Sequence, residues 1–242
     1  MENVAYIVYI CFALPFLLGI PIVRKKMRII LLFIFIGMSC CLVIAEVNGI
    51  LYRKLGQSMY YITTNITPLT EEVIKAIPVL VFALLVTSQQ DYVLTIAFMT
   101  GLGFSLLENS TILVETVVAN GSVDFTWALV RTLGAGLLHS LCTTSVGIGI
   151  TLIRKQKKFF FCGTFALLTM AIVYHSIYNS LIQSSYKYAG VVLPLVTYIP
   201  IIFAVLHFRK KRMQLAAAQA KTEKKEEKIE EKIEERIEEV KQ

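Results

Sequence analysis

Seven apolar runs, each close to the length of a bilayer crossing and separated by short polar segments, leave this chain few folds to adopt. They lie at about 4–22, 29–50, 70–87, 92–117, 126–152, 159–182 and 190–208. A hydrocarbon core of about 30 Å needs roughly 20 apolar residues of helix to cross it, and offers no water to the backbone, so each run is expected to be helical. The fold class that follows is all-α, a polytopic membrane protein of about seven transmembrane helices. With 56% hydrophobic residues, 17% charged and a mean hydropathy of +0.66, the 242-residue chain is too apolar for a soluble globule.

The charges sharpen this reading. Residues 209–242 hold 11 Lys/Arg and 9 Glu, leaving 13 Lys/Arg and 8 Asp/Glu for the first 208, so 1–208 reads as the membrane domain and 209–242 as a charged tail. Arg24, Lys25, Lys26, Arg28, Arg154, Lys155, Lys157, Lys158, Arg209, Lys210, Lys211 and Arg212 fall on one side of the alternating runs. Arg53, Lys54 and Lys187 fall on the other. The positive-inside rule then predicts an outer N-terminus and a cytoplasmic C-terminus, which requires an odd number of spans. The opening MENVAYIVYI has no Lys or Arg before its apolar run, so a cleavable signal is not expected. The net charge of +7 sits at the ends of apolar runs, where anionic lipid, not nucleic acid, is the expected partner. In the tail, Ile229, Ile233, Ile237 and Val240 recur at helical spacing among Glu/Lys neighbours, which predicts a solvated, partly helical extension. The five cysteines, Cys11, Cys40, Cys41, Cys142 and Cys162, all lie in apolar runs without CxxC spacing and read as small core residues.

A charge at the bilayer centre costs at least about 2.5–3.5 kcal/mol, so each ionisable residue inside a span asks for a reason. Glu46, Glu71, Glu72, Lys75, Glu108, Arg131, His139 and His175 all lie within or at the ends of spans, with Asn109 and Asn179 as further polar groups. Individually they have ordinary explanations. An acidic pair favours a helix N-terminus, a lone histidine can bridge two helices, Arg131 can snorkel, Glu46 can reach the headgroups, and Glu115 and His207 lie near span ends.

Their heights make the case as a group. At about 1.5 Å per residue, Lys75 lies roughly 6 Å deeper than the Glu71–Glu72 pair, and Glu108 and His175 each fall about 24 Å from the inner face. His139 lies near the middle of its span, with Arg131 two turns further out. These residues are expected to converge on one site in the outer half of the bundle. Lys75 stands at i+4 from Glu71 and i+3 from Glu72, where it can neutralise part of the pair. Pro78 frees the Ile74 carbonyl on the same helix and predicts a kink. Phe104 and Glu108, His139 and Thr143, and His175 and Asn179 each share a face at i,i+4. Gly101, Gly103, Gly134 and Gly136 are expected to let the fourth and fifth spans pack closely.

Paired carboxylates and imidazoles in a desolvated pocket suit the activation of water for attack on an amide: a glutamate takes the proton, and imidazole or amide donors stabilise the oxyanion. Other hydrolase signatures are missing. There is no GxSxG elbow, no HExxH and no intramembrane aspartate pair, since Asp91 and Asp124 fall in loops. The last run has no lysine for a retinal.

EExxK (Glu71, Glu72, Lys75), FxxxEN (Phe104, Glu108, Asn109), Arg131 with His139, and HxxxN (His175, Asn179) resemble the motifs of the PrsW family of intramembrane proteases. The resemblance covers about residues 68–180, one motif per helix in the family's order. Related prenyl-protein endopeptidases and bacteriocin-immunity CPBP proteins usually carry EExxxR and FxxxH, which this chain lacks. The resemblance implies site-1 cleavage of a single-span anti-sigma factor and release of a sigma factor, at the plasma membrane of a Gram-positive bacterium. It also implies Glu71, Glu72, Glu108, His139 and His175 as the reacting set, with Lys75, Asn109, Arg131 and Asn179 supporting them. Such families are described both as metalloprotease-like and as glutamic. Glutamate-activated water without a cofactor is the preferred expectation, and zinc held by His139, His175 and Glu108 is the alternative.

Two readings from other classes compete. A proton-coupled transporter would use the Glu/His set as a relay and needs ionisable groups continuing to the cytoplasmic face. A scaffold would act through the charged tail.

Overall fold

A computed structural model describes residues 4–153, 157–203 and 214, and among them the chain is helical with no strand. In order come α1 (Val4–Gly19), α2 (Lys25–Leu55), the short α3 (Met59–Tyr61), a π-helical segment (Ile62–Ile66), α4 (Thr67–Leu85), α5 (Gln90–Asn120), α6 (Phe125–Ile150) and α7 (Lys157–Ile182). A further apolar helix, α8, runs over Lys187–Phe203. Among the described residues the apolar runs lie largely in helices, and α2, α5, α6 and α7 are long and apolar enough to cross a bilayer, as expected of a multi-pass membrane protein. Two compact units, Met1–Val196 and Thr197–Gln242, divide the chain. The tail 209–242, apart from Gln214, lies outside the described residues, as do Arg154, Lys155 and His207.

The polar stretch 52–70, between the second and third apolar runs, is mostly helical. α2 runs on to Leu55 and ends at Gly56, whose φ of +60° is the left-handed C-cap that suits glycine. Ser58 then caps a new helix by accepting from the Tyr61 N–H at 3.2 Å. A π turn leads into Pro68. The Thr67 N–H reaches back five residues to the Ile62 carbonyl, and in that register the Thr63 carbonyl faces residue 68, which as proline has no N–H to give. Asn179 of α7 supplies the donor, Nδ2 to Thr63 O at 2.9 Å.

α5 packs most extensively against α6 and α2. A Cβ on Gly101 would collide with the His139 and Ser140 backbone of α6, and one on Gly103 with the Ile34 backbone of α2. Gly37 of α2 meets the Thr100 and Phe104 backbone in the same way. Of the four glycines expected between the fourth and fifth spans, Gly101 and Gly136 face that contact, whereas Gly103 turns to α2 and Gly134 to Val191 of α8. Glycines two apart on a helix point about 200° from one another, so neither pair can serve one interface. Cys40 and Cys142 are buried, but Cys11 and Cys162 are exposed on the outer faces of their helices, so the cysteines are not uniformly core residues. Helices within a bundle present part of their apolar surface to lipid, where a small apolar side chain is equally at home.

Candidate active site

On α4, Glu71 and Glu72 point about 100° apart, and Lys75, one turn on, lies between them. Its Nζ donates to Glu72 Oε1 at 2.8 Å and stands 3.8 Å from Glu71 Oε2. All three are buried, with relative exposures of 2% for Glu71, 1% for Glu72 and 0% for Lys75. Charges so enclosed persist in a fold only when paired and hydrogen-bonded. Under the ammonium lies the Phe104 ring of α5, its centroid 4.5 Å from Nζ.

Two imidazoles close the cluster. α6 brings His139 and α7 brings His175, both buried, with ring centroids 4.9 Å apart and planes at 82°. The close α5–α6 approach at Gly101 sets His139 against α5, its ring 4.8 Å from that of Phe104. Bonding capacity fixes the tautomers. An ammonium has donors only, so Lys75 Nζ donates to His139 Nδ1 at 2.9 Å, which leaves the ring hydrogen on Nε2. Nε2–H then donates to Glu108 Oε2 at 3.0 Å. A carboxylate has acceptors only, so His175 Nδ1–H donates to Glu72 Oε1 at 2.9 Å. His175 Nε2 consequently turns its lone pair toward Glu71 Oε2, 3.8 Å away.

Three carboxylates here face two formal cations, Lys75 and Arg131, and one negative charge is in excess. Glu71 Oε2 and Glu72 Oε2 are buried and accept no hydrogen bond. An inward lone pair, two unengaged carboxylate oxygens and surplus negative charge form a surface made for a water, a proton or a cation. Ligand-type atoms of Glu71, Glu72, His139 and His175 all lie within 4.8 Å of one another; Glu71, Glu72 and His175 offer unengaged donor atoms suited to zinc, and His139 would join them by giving up the hydrogen bond from Lys75. This set differs from His139, His175 and Glu108. Glu108 stands outside the group, engaged with His139 Nε2, and its side chain is the most open of the cluster at 24% exposure.

The supporting residues divide. The buried Nε of Arg131 makes no hydrogen bond. Asn109, one residue beyond Glu108, turns to its own helix and donates to Ser105 Oγ at 2.9 Å. Asn179 ties α7 to the π segment. Glu46 accepts from the Tyr6 hydroxyl at 2.6 Å, in agreement with a structural role. Sequence reasoning passed over Tyr178, whose buried hydroxyl is unpaired. Its spacing of i+3 from His175 was the signal that could have found it.

A family model described as PrsW family intramembrane metalloprotease matches residues 25–205 of this chain. No curated protein and no solved structure matches it.

Proposed function

The chain belongs to the PrsW family of intramembrane proteases, and from that premise we propose that it cleaves a single-span anti-sigma factor by glutamate-activated water, releasing a sigma factor. In this reading residues 1–208 cross the bacterial plasma membrane seven times from an outer N-terminus, and 209–242 form a cytoplasmic extension. The observation that carries the proposal is the buried Glu71–Glu72–His139–His175 group.

Glu71 is the general base. Glu72 is occupied, its Oε1 accepting from both Lys75 and His175, and serves to hold those two groups. Glu71 keeps Oε2 unengaged beside His175 Nε2, and a water donating one hydrogen to each acceptor would be fixed and polarised there. As water oxygen bonds to the peptide carbonyl carbon, its proton passes to Glu71 and the carbonyl pair moves to oxygen. Collapse re-forms the carbonyl, breaks the C–N bond and returns a proton to the leaving nitrogen. His139, held between Lys75 and Glu108 and packed on the Phe104 ring, walls the pocket and helps exclude bulk water. A zinc ion held by Glu71, Glu72, His139 and His175 would add Lewis-acid polarisation to this chemistry.

A proton relay is less well supported. Among the described residues, the fully buried acids and bases are Glu71, Glu72, Lys75, His139 and His175, all in this cluster, with no ionisable chain leading onward through the bundle. The test compares membrane proteomes of cells carrying the parental protein or Glu71→Gln. A single-span protein that accumulates uncut only in the variant supports the proposal, and identical proteomes would overturn it.

A further inference from the structure

We propose that the Tyr178 hydroxyl donates a hydrogen bond to the carbonyl oxygen of the scissile peptide, where the oxyanion forms; the assignment rests on the peptidase reading above. Tyr178 is 2% exposed, and its hydroxyl is buried without a hydrogen-bond partner. A phenol is normally bonded when buried, so an unpaired one signals a group that meets its partner only during function.

Its placement specifies that partner. Ala171, His175 and Tyr178 are the buried residues of α7, spaced four and three apart on one face. Helical side chains lean toward the N-terminus of their helix, which directs the Tyr178 ring back toward the level of His175. The ring belongs to the apolar cluster that includes Ala135 and Leu138, the α6 residues lying between Arg131 and His139. Glu108 is the most exposed member of the site and marks the side from which a peptide can enter.

The reacting oxygen needs a donor here. Lys75 is engaged by Glu72 and His139, His139 Nε2–H by Glu108, and His175 Nδ1–H by Glu72. Of the unpartnered buried donors Arg131 Nε, Ser140 Oγ, Thr143 Oγ1 and the Tyr178 hydroxyl, Tyr178 is the one on the His175 face of α7, and it offers a neutral O–H, the character of an oxyanion donor. When water adds to the carbonyl carbon and its proton moves to Glu71, the displaced pair on oxygen is held by this O–H. On collapse the pair returns to the C–O bond and the amine leaves with a proton, so tyrosine is unchanged.

The experiment uses the full chain in lipid vesicles and, as substrate, the single-span protein that accumulates uncut with Glu71→Gln. Tyr178→Phe keeps the ring and removes the hydroxyl. A fall in kcat of about 10- to 1000-fold is expected, with KM and melting temperature unchanged. Replacement by 3-fluorotyrosine, which keeps the O–H, is expected to retain cleavage within several-fold. Parental turnover by Tyr178→Phe, a loss carried by KM or by melting temperature, or failure of the fluorinated residue to retain activity would each overturn the assignment. If no uncut protein accumulates with Glu71→Gln, the peptidase reading itself fails, a separate result from any Tyr178 outcome.

Discussion

Lys75 Nζ and His139 Nδ1 meet 2.9 Å apart inside the bundle, a pairing of two groups that would repel one another if both were charged. It holds because the ammonium only donates and an unprotonated ring nitrogen accepts. The lysine thus sets the histidine's tautomer while pairing with Glu72. Lys75→Met would leave a buried carboxylate without its cation, and a loss of about 3–5 kcal/mol is expected. Cleavage should fall by about 100-fold or more, since both histidines lose their orientation. Lys75→Arg is not expected to restore it, because the side chain is completely enclosed and a guanidinium needs more room. Melting temperature and turnover, measured on the same preparations, check both statements.

The two adjacent glutamates are expected to separate by experiment. Glu71→Gln removes the base but relieves the excess negative charge, so turnover should fall by about 100- to 10,000-fold with melting temperature held or raised. Glu72→Gln weakens the anchor of Lys75 and His175, so both turnover and melting temperature should fall. Equal thermal effects of the two substitutions would contradict the division of roles.

The length of the apolar runs made the helices legible, because among the described residues those runs lie largely in helices, four of them long and apolar enough to cross a membrane. The site was legible for a related reason: ionisable side chains survive in hydrocarbon only where they meet partners, so Glu71, Glu72, Lys75, Glu108, His139 and His175 had to find one another. Details of direction were not legible. Asn109 and Glu108 are neighbours in sequence but turn to different faces, and Gly103 meets α2 and not α6. Tyr178 escaped because an aromatic in an apolar span looks like core. The helical course of 59–66 was hidden because polar side chains there bond to their own backbone, as Thr64 Oγ1 does to Tyr60 O at 2.7 Å.

Metal affinity tests the donor set independently of cleavage. Zinc titrated calorimetrically into the parental protein is expected to bind at a single site per chain, and Glu71→Ala and His175→Ala should abolish that binding. Glu108→Ala, which removes only the partner of His139 Nε2, should weaken it by about 10- to 100-fold, as loss of an outer-sphere partner does. Loss of all binding in Glu108→Ala would instead place Glu108 among the ligands.

Helix approach tests how His139 is placed. A Cβ at Gly101 would strike the His139 backbone, whereas one at Gly136 would have its nearest contact, Ser105 Oγ, at an ordinary 3.7 Å. Gly101→Ala should cost about 1–3 kcal/mol through overpacking and lower turnover by displacing the imidazole. Gly136→Ala should leave both almost unchanged or add a few tenths of a kcal/mol through reduced freedom of the unfolded chain. Chemical denaturation and turnover of the pair provide the comparison.

The strap from α7 to the π segment gives the last test, because its cause is a missing hydrogen. Pro68 provides no N–H, and Asn179 Nδ2 donates to the Thr63 carbonyl at 2.9 Å. Asn179→Ala should therefore cost about 1–3 kcal/mol for the abandoned carbonyl, and should lower turnover because His175 lies one turn away on the same helix. Pro68→Ala supplies a backbone N–H at the fifth residue from Thr63. Combined with Asn179→Ala it should recover part of the lost stability, giving a coupling of about 0.5–3 kcal/mol in a double-mutant cycle. Additive losses in that cycle would show that the missing proline N–H is not what Asn179 compensates. Recovery of stability without turnover would show instead that Asn179 also positions His175.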